Sequence, residues 1–102
     1  MTIYNKLVRD KIPEMIRNNG ETPNVRILSD EEYLLSLEQK LDEEVAEYHR
    51  DKNAEELADI LEVVFALADA IDCSRDELLK IYQHKHDARG GFEKRYYLIS
   101  KE

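Results

Sequence analysis

The sequence predicts an all-α protein, a small helical bundle of long antiparallel helices with less regular ends. Three helix-start signals share one form. Ser29-Asp-Glu-Glu32, Asn53-Ala-Glu-Glu56 and Ser74-Arg-Asp-Glu77 each set a capping side chain three residues before a glutamate. Apolar residues recur at helical spacing after each signal. The composition, 37% charged and 42% apolar, suits helices with one solvated and one buried face.

In chain order, Asp10 to Asn18 reads as a short helix, because Pro13 is tolerated only in a first turn. Asn18-Asn-Gly20 and Thr22-Pro23 read as turn and loop, and Val25 to Leu28 as extended. The first long helix is expected over about 30–51, with Leu34, Leu37, Leu41, Val45 and Tyr48 as its apolar stripe. The second, over about 54–72, carries Leu57, Ile60, Leu61, Val64, Leu67, Ala68 and Ile71, and Val63 and Ala66 widen that face. Such breadth predicts burial on more than one side, centrally or against another subunit. The third, over about 75–88, stops at Gly90-Gly91. Phe92 to Ile99 reads as a strand or an ordered tail, and a small hairpin of the two ends is compatible with the pattern.

At 102 residues the chain suits one domain, 1–102, with no interior linker, repeat or low-complexity stretch. No apolar run approaches the roughly twenty residues of a membrane span, and the opening residues lack the apolar core of a signal peptide. The single Cys73 excludes an internal disulfide, and a cytoplasmic location follows by default. The net charge of −8 argues against a nucleic-acid partner. Residues 1–28 hold five basic and three acidic side chains, residues 29–79 four and seventeen, and residues 80–102 six and three. An acidic middle, net −13, thus lies between basic ends of +2 and +3. That pattern suits a metal site with phosphate-binding groups folded over it; a solvated acidic bundle is the bland alternative.

The main clue is a pair of acid pairs, Glu44-Val-Ala-Glu47 and Glu56-Leu-Ala-Asp59. Spacing of i, i+3 projects both members of a pair from one helix face. A turn over Asp51, Lys52 and Asn53 brings the pairs together. Four like charges at close quarters are unfavourable without a cation, and oxygen-only ligands suit Mg²⁺ first, with Mn²⁺ or Ca²⁺ as substitutes. On a helical wheel Glu44 falls beside the apolar stripe, Glu47 further round, and Asp59 between Val63 and Ala66. Asp59 therefore reads as the acid hardest to explain as a solvated side chain. The others have bland readings: Glu56 as a capping-box glutamate, Glu44 and Glu47 as surface partners of Lys40 and Arg50. The pairs lack the histidines of a bundle di-iron site, and no EF-hand loop, Walker A loop or nucleophile elbow is present. His49, His84 and His86 read as surface residues.

The segments Lys40-Leu-Asp-Glu-Glu-Val-Ala-Glu47 and Glu55-Glu-Leu-Ala-Asp-Ile-Leu61 resemble the MazG-like, all-α nucleoside triphosphate pyrophosphohydrolases. Tyr4-Asn-Lys-Leu-Val-Arg-Asp-Lys-Ile-Pro13 and Lys85-His-Asp-Ala-Arg-Gly-Gly-Phe92 resemble the ends of a small bacterial or phage subgroup of that superfamily. The resemblance implies Mg²⁺-dependent hydrolysis of a nucleoside triphosphate between its α and β phosphates, giving NMP and pyrophosphate. It places Glu44, Glu47, Glu56 and Asp59 on the metal, with Glu47 the choice for proton acceptor. It implies a dimer or tetramer and a role in removing noncanonical or surplus nucleotides. Under it, Lys6, Arg9, Lys11, Lys85 and Arg89 become candidates for holding phosphates. Tyr48, Phe92 or Tyr96 become candidates for stacking on a base, although core packing is the commoner use of such rings. Two rival readings stand beside it. One is phosphoribosyl-ATP pyrophosphohydrolase, which cleaves the same bond. The other is a non-catalytic acidic helical interaction module.

Overall fold

The computed structural model describes residues 1–102 and is all-helical. Four helices follow one another: α1 (Ile12–Asn18), α2 (Asp30–Asp51), α3 (Ala54–Ala70) and α4 (Arg75–Arg89). Local chemistry explains each boundary. Pro13 sits in the first turn of α1, where its missing N–H costs nothing. Ser29 and Glu32 complete a reciprocal capping box at the start of α2. Arg26 reaches the same glutamate, its Nη2 2.7 Å from Oε2, and so ties the preceding loop to the helix. Together these contacts, Arg26 foremost, hold the Glu32 carboxyl down to about 2.

Between α2 and α3 only Lys52 and Asn53 intervene. Lys52 adopts the left-handed conformation (φ 49°), which ends α2, and its N–H donates to the Tyr48 carbonyl. The Asn53 side chain then accepts from the Glu56 N–H and starts α3. A two-residue reversal leaves the helices antiparallel neighbours. Residues 71–74 turn the chain again, Ser74 caps α4, and Gly90 at φ 78° ends it.

α2 packs along α3, and α3 touches α4. The buried apolar side chains, Leu37, Val63 and Ala68, lie along the α2/α3 pair, and Glu44 is the one buried charged residue. The broad apolar face read for α3 is only partly covered, since Leu57 and Leu61 are each half exposed. Beyond Leu78 every residue of α4 is exposed. No strand forms at either end, so residues 25–28 and 92–99 do not pair into a hairpin. The molecule measures 62 × 31 × 23 Å, with a radius of gyration of 18.0 Å. A compact chain of this length has a radius of about 13 Å. No helix is long and apolar enough to cross a membrane.

Candidate metal centre

The two-residue turn sets the last two turns of α2 beside the first two turns of α3. Glu44 and Glu47 descend from one helix, Glu56 and Asp59 from the other, and both pairs face the seam between them. One carboxylate oxygen from each of the four lies within 4.8 Å of all the others. The i, i+3 spacing read from the sequence does converge four acids on one point.

Glu44 is 7% exposed; the other three are half-buried. Oε2 of Glu44 and Oε2 of Glu56 are buried and have no hydrogen-bond partner. Burial, then the neighbouring Glu47 carboxylate, pushes the Glu44 pKa upward against the opposing pull of Lys40. Burial, then the charges of Glu47, Asp51 and Asp59, raises that of Glu56 as well. The helix dipoles act unequally: the N-terminus of α3 favours the charges of Glu56 and Asp59, whereas Glu47 sits near the negative end of α2.

Two cations already reach the cluster. Lys40, one turn before Glu44, places Nζ 3.6 Å from Glu44 Oε1 and 3.5 Å from Glu43. Its side chain is only 19% exposed, so the surface pair expected from sequence is part of the site's wall. Arg9 arrives from the segment before α1, with Nη2 2.6 Å from Asp59 Oδ1. Lys40 was visible in sequence through its i, i+4 spacing to Glu44. The Arg9–Asp59 pair spans fifty positions and has no local signal.

Three readings of individual acids change. Glu44, not Asp59, is the acid hardest to explain as a solvated group: Asp59 has an arginine partner and a 40% exposed side chain. Glu56 does not return a side-chain bond to its cap, so its carboxylate is free for another role. Arg50 pairs with the adjacent Asp51 rather than with Glu47. Glu55 and Glu62 are exposed and stand outside the cluster.

Of the basic candidates, only Arg9 touches the acids. Lys6 lies over the Tyr4 ring at 6.0 Å, and Lys11 occupies the position before α1. Lys85 and Arg89 are exposed on α4 and make no ion pair. Phe92 and Tyr96 are almost wholly exposed, Tyr48 is half-buried, and His86 stacks on Tyr82 away from the acids. Neither the cleft beside Phe65 and Arg75 nor the groove between α2, α3 and α4 is lined by any of the four carboxylates.

The donor set fits a hard divalent cation. All four groups are carboxylates, their oxygens are mutually close, and two buried oxygens lack any other partner.

No family model and no solved structure matches the chain. An uncharacterized protein of Mycolicibacterium smegmatis is 64% identical over 42 residues, 41% of this chain and 43% of that protein. The matched stretch thus spans less than half of either chain, and that protein's name carries no activity.

Proposed function

We propose that the chain is a Mg²⁺-dependent nucleoside triphosphate pyrophosphohydrolase. Water and NTP give NMP and pyrophosphate by breakage of the bond between the α phosphorus and the bridging oxygen. The observation that carries this reading is the convergence of Glu44, Glu47, Glu56 and Asp59 within 4.8 Å, with two buried carboxylate oxygens left unpartnered. These four would hold the ion, which when bound neutralises the polyphosphate and stabilises charge on the leaving pyrophosphate.

The chain's own groups divide the remaining work. Glu44 and Glu56, with orphaned oxygens and raised proton affinity, gain most from a cation. With the ion held mainly by the other three, Glu47 would be the acid that takes the proton of the attacking water. Arg9 offers a planar guanidinium at the rim of the cluster, suited to clamping phosphate oxygens once Asp59 turns to the ion. Lys40 offsets part of the buried charge of Glu44 when no ion is bound.

A house-cleaning role in the cytoplasm and a homodimeric or homotetrameric assembly belong to the same proposal. The assembly is supported by the large apolar side chains left open on α3 and α4, Leu57, Leu61, Leu79 and Ile81 among them. Pyrophosphate release from a panel of canonical and modified nucleotides, with Mg²⁺ and with chelator, tests the activity. Release only from phosphoribosyl-ATP would move the assignment to that hydrolase. No release, with no thermal shift from Mg²⁺ or a nonhydrolysable NTP, would leave an acidic interaction module.

A further inference from the structure

The chain exposes far more surface than a folded protein of its mass. Its accessible surface is 9619 Å² at 12.0 kDa. A compact monomer of that mass exposes about 6,000 Å². The excess, roughly 3,600 Å² per chain, is larger than the roughly 1,000–2,500 Å² that each partner buries in most obligate dimers. Exchange of an extended segment between copies would hide part of that excess on both sides, the segment's own surface and that of its receptor.

Both halves of such an exchange are present. The receptor is an apolar groove of about 450 Å³ between α2, α3 and the start of α4, lined by Leu34, Leu41, Val64, Leu67, Ile71 and Leu78. The free thiol of Cys73 lies in its wall. The ligand is the segment that leaves α4 at Gly90. Tyr96, Tyr97, Leu98 and Ile99 follow one another there, each 80–89% exposed, in neither helix nor strand. Four consecutive large apolar residues in water is an unstable arrangement for a single chain. Charge agrees: residues 80–102 carry +3 and residues 29–79 carry −13. Lys94 and Arg95 lie just before the apolar run, and Glu38 sits in the groove wall.

We propose that the Tyr96–Ile99 run of a second copy of this chain fills the α2/α3/α4 groove. This rests on the homo-oligomeric assembly proposed above and is independent of the catalytic reading. Own-chain occupancy is disfavoured because α4 carries the segment away from Leu78 over about 18 Å of exposed helix. Only a full reversal at Gly90-Gly91 would bring it back.

The native thiol supplies the test. A chain with Leu98→Cys and Cys73→Ser is co-expressed with the unaltered chain, one of the two tagged, and the pair is mildly oxidised. A disulfide joining the introduced thiol to Cys73 can then form only between copies. The expected result is a hetero-pair on a non-reducing gel, with the joined peptides identified by mass spectrometry. In parallel, Leu98→Asp with Ile99→Asp should weaken self-association at least hundredfold by light scattering at unchanged helicity. A chain carrying Leu98→Cys alone that closes an internal disulfide, with no hetero-pair, would overturn the proposal in favour of own-chain docking. An oligomer with neither linkage would overturn it while leaving the assembly standing. A monomer at micromolar concentration would overturn both, and pyrophosphate release would still judge the enzyme separately.

Discussion

Replacing Glu44 with glutamine removes the most buried charge of the cluster while keeping its shape. The Glu44 oxygen lies within 4.8 Å of those of the other three acids, and among these Glu47 and Asp59 are the charges that push its pKa up. At an effective dielectric of about 20, unit charges at that separation repel by about 3.5 kcal/mol per pair, about 7 kcal/mol for the two. Lys40, 3.6 Å away, returns about 4.6 kcal/mol on the same scale. Ionised Glu44 is therefore unfavourable by roughly 2 kcal/mol, before the cost of its orphaned oxygen. Glutamine still buries a polar amide, so the net gain for metal-free Glu44→Gln is about 1–2 kcal/mol, at about 4–8 °C in Tm per kcal/mol. If the four acids hold Mg²⁺ as proposed, the ion at about 100 times its Kd should stabilise the unaltered chain by about 2.7 kcal/mol; in the variant most of that shift should vanish, and turnover with it. Thermal melts of both proteins near neutral pH, with chelator and with Mg²⁺, read out every part. A variant that melts lower than the parent without metal, or that gains as much from Mg²⁺, would refute the account of Glu44.

Four further outcomes follow from the same geometry. Raised pKa values at Glu44 and Glu56 mean that the folded chain binds more protons than the unfolded one above the ordinary value of 4.5, so metal-free stability should fall as pH rises through the raised values. Glu32, held at about 2, works oppositely: its contribution is complete above 4.5 and is lost on acidification toward 2. Melts with chelator should therefore show a maximum in mildly acidic solution that Mg²⁺ flattens on the neutral side; a steady rise to alkaline pH would contradict this. Arg9→Gln should cost at most about 1 kcal/mol of stability, since its pair with Asp59 is exposed, yet raise the KM for nucleotide about tenfold or more; unchanged kinetics would remove Arg9 from the site. Asp59→Asn should abolish Mg²⁺-dependent turnover without the stabilisation expected of Glu44→Gln, because the uncharged amide forfeits the ion pair with Arg9; full activity would take Asp59 off the ion. Single alanines at Lys85 or Arg89 should change kcat/KM by less than about threefold; a tenfold loss would show that these basic groups act in the site after all.

The helices and the four acids were readable because their signals are local. Ser29 with Glu32, Asn53 before Glu56 and Ser74 before Glu77 are three-residue relationships, and the structure places α2, α3 and α4 within a residue or two of the expected bounds. The convergence of the acids needed only one more inference, a turn at Lys52-Asn53 too short for anything but antiparallel neighbours. Burial was not readable in that way. A helical wheel ranks residues around one axis, and it favoured Asp59. How close the next element comes was fixed elsewhere, by Arg9 reaching across fifty positions to Asp59 and by Lys40 folding along its own helix to line the site. The ends were ambiguous for a related reason. Val25–Leu28 and Phe92–Ile99 have extended-strand composition, but a strand needs a partner for its backbone, and this chain supplies none. Capping and periodicity act over a single turn, so the order of residues is enough to set the helices and the spacing of the acids. Which carboxylate is starved of partners, and which apolar surface stays open, depends on distances between segments remote in the chain, and those exist only once the helices have packed.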